Sequence, residues 1–326
     1  MLVQLCENDN PSVRANAIKL FCCLTDGSDE ATVIEHMNQK FIETVLRIIK
    51  SPSDEEEMVS AVGIITNLPE TPQITQWLVD AGTLPVIVGF LSNSRQNGPL
   101  RNQLIENAVG AICHFTVSTN VELQKRTAEA NTIPILAQLL ETGTTLTKQR
   151  AAVALSRFSE SSPKLCRIMP KRKGLWCFSA PPEIGCPAHG GICTVLSTFC
   201  LVEADAVQAL VRILSEPDPG ASEASLDALV TLIEGDNLYS GSTVLSNADA
   251  IQPIIKLLSS TSPRLQEKAL NTLERIFQML EFKQKYGGFA QMPLVDLTQR
   301  GSSSVKSKAA RILAHLNLLH DQSSYF

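Results

Sequence analysis

Apolar residues recur along this chain at offsets 0, 3, 4, 6 and 7. The copies are Ile42-Val45-Leu46-Ile48-Ile49, Leu84-Ile87-Val88-Phe90-Leu91, Ile133-Leu136-Ala137-Leu139-Leu140, Val207-Leu210-Val211-Ile213-Leu214 and Ile251-Ile254-Ile255-Leu257-Leu258. A weaker copy holds Leu294, Val295 and Leu297, and a clipped one, Leu2, Val3, Leu5 and Cys6, opens the chain. These offsets trace one face of an amphipathic helix. Each copy is followed by a small residue with apolar residues three, four and seven positions on. The members begin at Ala17, Ala61, Ala108, Ala151, Ser225, Ala269 and Ala309. A small residue at a fixed place predicts a close helix crossing, because a larger side chain would hold the two backbones apart.

The small residues are 44, 47, 43, 74, 44 and 40 positions apart. A helical period in the low forties is the mark of an armadillo or HEAT array. The expected fold is all-α: a right-handed armadillo-type solenoid of about seven two-part repeats over residues 1–326, the first truncated. The long step carries about 30 residues too many. It places an insertion at 163–192, between the fourth and fifth repeat cores. Because the chain opens inside a ladder helix, with no room for a solenoid cap, the C-terminal part of a longer protein is expected. Pro85, Pro134 and Pro253 fall near the ladder-helix starts, where a missing N–H costs little. Gly82 and Asn131 suit the left-handed residue that ends a preceding helix, whereas Asp205 and Asp249 fit either that slot or a cap on the next helix.

Composition narrows the function classes. The chain is 44% hydrophobic but 5% aromatic, and its formal net charge is −5. That balance argues against a general nucleic-acid binder, which needs a clustered positive field. No small-molecule substrate is expected either. Nine cysteines without a secretory leader point to free thiols in a reducing compartment. The expected location is cytoplasmic, or peripheral at the cytosolic face of a membrane.

No phosphate loop, dinucleotide fingerprint, zinc-protease motif or nucleophile elbow is present in the sequence. Cys113 and His114 adjoin on a helix and so face different ways, which makes them no nucleophile–base pair. His114 and His315 are expected to be partly buried helix residues. Asp54-Glu55-Glu56-Glu57 reads as a solvated turn favouring the next helix N-terminus, against a cation or basic-peptide site. At offset 5 the ladder helices carry Arg47, Gly89, Gln138, Arg212, Lys256 and Asp296. In a solenoid such positions form a row. Arg47, Gln138, Arg212 and Lys256 are therefore candidates for a partner-binding groove, with an acidic peptide as one occupant. Ordinary exposed helix surface is the competing reading.

The insertion gathers five of the nine cysteines between Cys166 and Cys200. Cys177, Cys186, His189 and Cys193 are candidate zinc ligands, with Cys166 or Cys200 as substitutes. No other cofactor is expected. Lys171, Arg172 and Lys173 precede Trp176 and Phe178, a basic-aromatic set suited to an acidic membrane surface. A Pro/Gly-rich surface loop is the third reading.

The segments DAGTLPVIVGFL, EANTIPILAQLL and NADAIQPIIKLL resemble the armadillo region of plant U-box E3 ubiquitin ligases. The insertion, from GLWCFSAPPEIGCPAHGGICTVLSTFC onward, resembles the senescence-associated, plasma-membrane-linked branch of that family. The resemblance implies a scaffold that binds a protein substrate or adaptor, in a parent whose U-box recruits the loaded E2. These 326 residues hold no U-box and are not expected to catalyse on their own. The alternative is a trafficking or adhesion adaptor. An importin-type groove is disfavoured, because its asparagine position holds Asn67, His114, Arg157, Thr231, Arg275 and His315.

Overall fold

The computed structural model describes residues 2–27, 33–34, 37–92, 98–168 and 185–323, with 317–323 described through their backbone alone. The chain is an all-α armadillo-type solenoid. Apart from a two-residue antiparallel bridge, Arg167–Ile168 with Gly191–Ile192, its described regular structure is helical. Two units are distinguished, Met1–Phe158 and Ser159–Phe326.

The third repeat shows how the pattern becomes structure. A short helix, Pro72–Asp80, leads to the ladder helix Thr83–Ser92, which packs on Pro99–Ile112. The small-residue helices then stack on one another. In the first unit Pro11–Thr25 packs on Glu55–Thr66, and Glu55–Thr66 on Pro99–Ile112. In the second, Pro219–Val230 packs on Pro263–Ile276, and the latter on Ser303–Ser323. Ala61, Ala108, Ser225, Ala269 and Ala309 are fully buried at these crossings and Ala17 nearly so; Ala151 is fully buried on the helix Thr145–Leu165, whose Arg150 reaches the Glu106 carbonyl of Pro99–Ile112 at 2.7 Å. Ala151→Leu should therefore overpack its crossing and destabilise the first unit by about 1–3 kcal/mol. Urea unfolding followed by circular dichroism checks this; unchanged stability would show that the site has room.

One expectation about local structure is corrected and one open choice is decided. The two-part repeat becomes three-part, because a short helix precedes the ladder helix in Pro72–Asp80, Val121–Glu129 and Leu238–Asn247. These helices are brief and bury few apolar side chains, such as Ile74 and Leu78 in the first or Leu123 and Ala128 in the second. Of the two slots open to Asp205 and Asp249, the left-handed one is observed. They adopt left-handed φ values of 54° and 57°, like Gly82 at 71° and Asn131 at 63°, and Ala206 and Ala250 take the N-cap positions. A left-handed residue turns the chain sharply between the short helix and the ladder helix. In the last repeat the matching slot holds Phe289, a bulky residue that does not favour that conformation. There the two helices run on as one, Leu280–Arg300, with Pro293 inside it.

The acidic turn is also only partly solvated. Asp54 caps the helix Glu55–Thr66 by accepting from the Glu57 N–H at 2.7 Å. Glu57 is fully buried and pairs with Arg14 Nε at 2.8 Å. Among the described residues no single helix is long and apolar enough to cross a membrane.

Candidate functional site

The ladder row comes first. Arg47 and Gln138 in the first unit, and Arg212 and Lys256 in the second, are all exposed. Arg47, Arg212 and Lys256 each lie between two buried apolar residues, and Gln138 between the half-buried Ala137 and Leu139, so the helical period turns all four outward. Lys256 lines a cleft of about 360 Å³ with Glu216, Pro219, Ser260 and Leu265, at the meeting of two successive repeats.

The position that carries asparagine in a peptide-clamping groove does something else here. Asn67 Nδ2 donates to the Cys22 carbonyl at 3.4 Å, and His114 Nε2 lies 2.9 Å from the Ile65 carbonyl. Arg157 Nη1 donates to the Cys113 carbonyl at 2.9 Å and Arg275 Nη2 to the Ile233 carbonyl at 2.5 Å. Each side chain thus reaches back to the end of the corresponding helix one repeat earlier. These contacts tie the helix ends of neighbouring repeats together. Arg157 also holds Glu70 in a bidentate pair, 2.9 and 2.7 Å. The recurring offset of these residues was visible in the sequence, but their targets were not.

Cys113 and His114 are both buried. Burial pushes the Cys113 thiol up to about 11 and lowers His114 below the usual histidine range. A neutral imidazole bonded to a carbonyl and a protonated thiol form no reactive pair. His315, in contrast to expectation, is exposed.

Lys171, Arg172, Lys173, Trp176, Phe178 and Cys177 lie outside the described residues. The other three candidate ligands do converge, and among the described residues their fourth neighbour is Cys200. The ligand atoms of Cys186, His189, Cys193 and Cys200 all lie within 4.8 Å of one another, and all four residues are buried. His189 Nδ1 is 3.6 Å from Cys186 Sγ, 3.3 Å from Cys193 Sγ and 3.6 Å from Cys200 Sγ. The Cys186 and Cys200 sulfurs are 3.6 Å apart.

Local backbone geometry builds this cluster. Cys186 N donates to the Gly191 carbonyl at 2.7 Å and Gly190 N to the Cys186 carbonyl at 2.8 Å, closing a tight loop around His189. Gly190 turns it with a left-handed φ of 67°. A Cβ on Gly191 would sit 2.2 Å from the Arg167 carbonyl oxygen, so only glycine lets the two bridge strands meet there. Cys166 Sγ lies 3.2 Å from Cys193 Sγ.

No protein-family profile matches the chain. Over its full length it is 28% identical to U-box domain-containing protein 24 of Oryza sativa subsp. japonica and to U-box domain-containing protein 43 of Arabidopsis thaliana. The chain spans 43% of the length of each of these relatives. Among solved structures it superposes on a designed armadillo repeat protein in complex with the peptide (KR)4. The TM-score is 0.59 at 18% identity, covering 84% of this chain and 98% of that one. Designed armadillo proteins for modular peptide recognition match at a TM-score of 0.59 and 20% identity, covering 84% of this chain and 98% of theirs. These likenesses fix the fold as armadillo.

Proposed function

We propose that this chain is the partner-binding region of a plant U-box ubiquitin ligase, holding a protein substrate while a U-box in the same parent brings the charged E2. The observation that carries the reading is full-length similarity to U-box proteins that are more than twice as long. The repeat surface supports it. Five of the six ladder helices expose a polar residue at one fixed position, and three of these are basic. Meanwhile Asn67, His114, Arg157 and Arg275 are engaged in holding repeats together. Recognition would then rest on side-chain charge and shape more than on an asparagine clamp for peptide backbone. A partner with acidic side chains suits Arg47, Arg212 and Lys256. The contribution to ubiquitin transfer is proximity, by confining the target lysines near the E2 thioester.

Charge reversal provides the test. Arg212→Glu with Lys256→Glu should weaken a partner captured by the intact chain at least about tenfold, while the melting temperature stays within a degree or so of wild type. Both side chains are exposed, and the melting temperature is measured alongside affinity. Unchanged affinity in a correctly folded variant would remove the basic row from the binding surface.

A further inference from the structure

From the convergence of Cys186, His189, Cys193 and Cys200, we infer that the second unit carries a structural zinc site of three thiolates and one imidazole. Its role is to staple the inserted segment onto the repeat that follows it.

The distances carry the inference. Tetrahedral zinc with Zn–S bonds of about 2.3 Å and Zn–N bonds of about 2.05 Å requires sulfurs about 3.8 Å apart and each sulfur about 3.6 Å from the nitrogen. The Cys186–Cys200 sulfur distance is 3.6 Å, and the three sulfur-to-Nδ1 distances are 3.6, 3.3 and 3.6 Å. Hydrogen bonding does not explain this arrangement. A neutral imidazole nitrogen offers either one proton or one lone pair, and so satisfies one sulfur. Three sulfurs gathered round one nitrogen describe a coordination shell. A disulfide needs sulfurs at about 2.05 Å, well inside the separations measured here.

The donor set selects the metal. Soft thiolates with one imidazole in a compact tetrahedron favour zinc over the oxygen-seeking cations. Four protein ligands leave no open position for water or substrate, so the site is structural. The loop Cys186–Gly191 supplies the first two ligands in a Cys-x-x-His turn closed by Gly190. A cleft of about 320 Å³, lined by Cys166, His189, Glu160, Glu234 and Asp236, gives the ion a path to the cluster.

The staple has a task. Residues around Gly185–Cys193 are rich in glycine and proline and bury little apolar surface, so packing alone orders them poorly. Cys200 belongs to the turn that leads into the ladder helix Val207–Ile213. Coordination would fix the loop to that turn, alongside the bond from Ser240 Oγ to the Ala188 carbonyl at 2.5 Å. The geometry further separates ligand from neighbour: Cys200 is inside the shell, whereas Cys166 approaches only Cys193.

The test uses the purified full chain, with zinc and cobalt(II) as probes. Elemental analysis should find stoichiometric zinc, and cobalt(II) titrated into the metal-stripped chain should give the visible bands of a tetrahedral thiolate site. Cys200→Ser and His189→Ala should lose stoichiometric zinc, whereas Cys166→Ser and Cys177→Ser should retain it. If Cys200→Ser or His189→Ala fails to fold, the cobalt spectrum of the wild-type chain still decides. Absence of stoichiometric zinc together with no tetrahedral cobalt bands would overturn the site. So would retention of zinc by Cys200→Ser with its loss from Cys177→Ser, or a Cys166–Cys193 disulfide in the freshly isolated chain. Partner binding is not among these readouts, so the zinc site and the ligase reading stand or fall separately.

Discussion

Arg14→Ala is expected to destabilise the first unit by about 3–5 kcal/mol, because it strands a buried carboxylate. The Glu57 side chain is fully shielded from solvent. It accepts from Arg14 Nε at 2.8 Å and from the Ser53 N–H at 2.5 Å, and Arg14 also reaches Ser53 Oγ at 2.6 Å. Removing the guanidinium leaves one backbone donor for an anion that water cannot reach. The neighbouring pair, Lys19 with Glu56, is half-exposed and serves as the control: Lys19→Ala should change stability little. Hydrogen exchange resolves the effect locally, which matters in a repeat array where one global transition is not assured. Lost protection should centre on Pro11–Thr25 and Glu55–Thr66. Equal, small effects of the two variants would mean that Glu57 is not held as described.

Gly241→Ala should be comparably damaging, by about 3 kcal/mol, for a different reason. The helix Leu238–Asn247 passes so close to the turn Thr231–Ile233 that a Cβ on Gly241 would lie 1.9 Å from the Leu232 carbonyl oxygen and 2.5 Å from its carbon. The obstacle is backbone, which cannot swing aside as a side chain can, so the helix or the turn must move. Gly89 gives the opposite sign. It sits in the helix Thr83–Ser92, and a Cβ added there would meet nothing within 4 Å. Gly89→Ala should stabilise by about 0.5–1 kcal/mol through lower unfolded-state entropy and better helix propensity. Thermal melts of the two variants decide; a shift of the same sign in both would contradict the close approach.

The features legible in the sequence are those set by neighbours along the chain. Helical period, the small residues at crossings and the left-handed slots at Gly82 and Asn131 each depend on a few adjacent residues. Features set by distant residues were hidden. Glu57 looks like one acid among four until Arg14, 43 positions earlier, is found beside it. Asp205 and Asp249 satisfy two rules equally, and the path of the chain decides between them. The short helix Val121–Glu129 is mostly polar, and it is ordered by contacts such as Gln124 Nε2 with the carbonyls of Thr116 and Arg157, both at 2.8 Å. Cysteine spacing in the insertion supplied the ligand types, and Cys186, His189 and Cys193 do meet. Cys200 joins them through the turn before Val207–Ile213, a return of the chain that spacing does not encode.

Ubiquitin transfer by the full-length parent protein tests the central claim most directly. The parent, and a version lacking the 326 residues described above, would be compared with E1, E2, ubiquitin and a partner captured by this chain. If the proposed U-box lies outside the solenoid, both proteins should modify themselves at similar rates. The intact parent alone should modify the partner. Equal modification of the partner by both, or a parent reading frame without a U-box, would contradict a substrate-holding role for this solenoid.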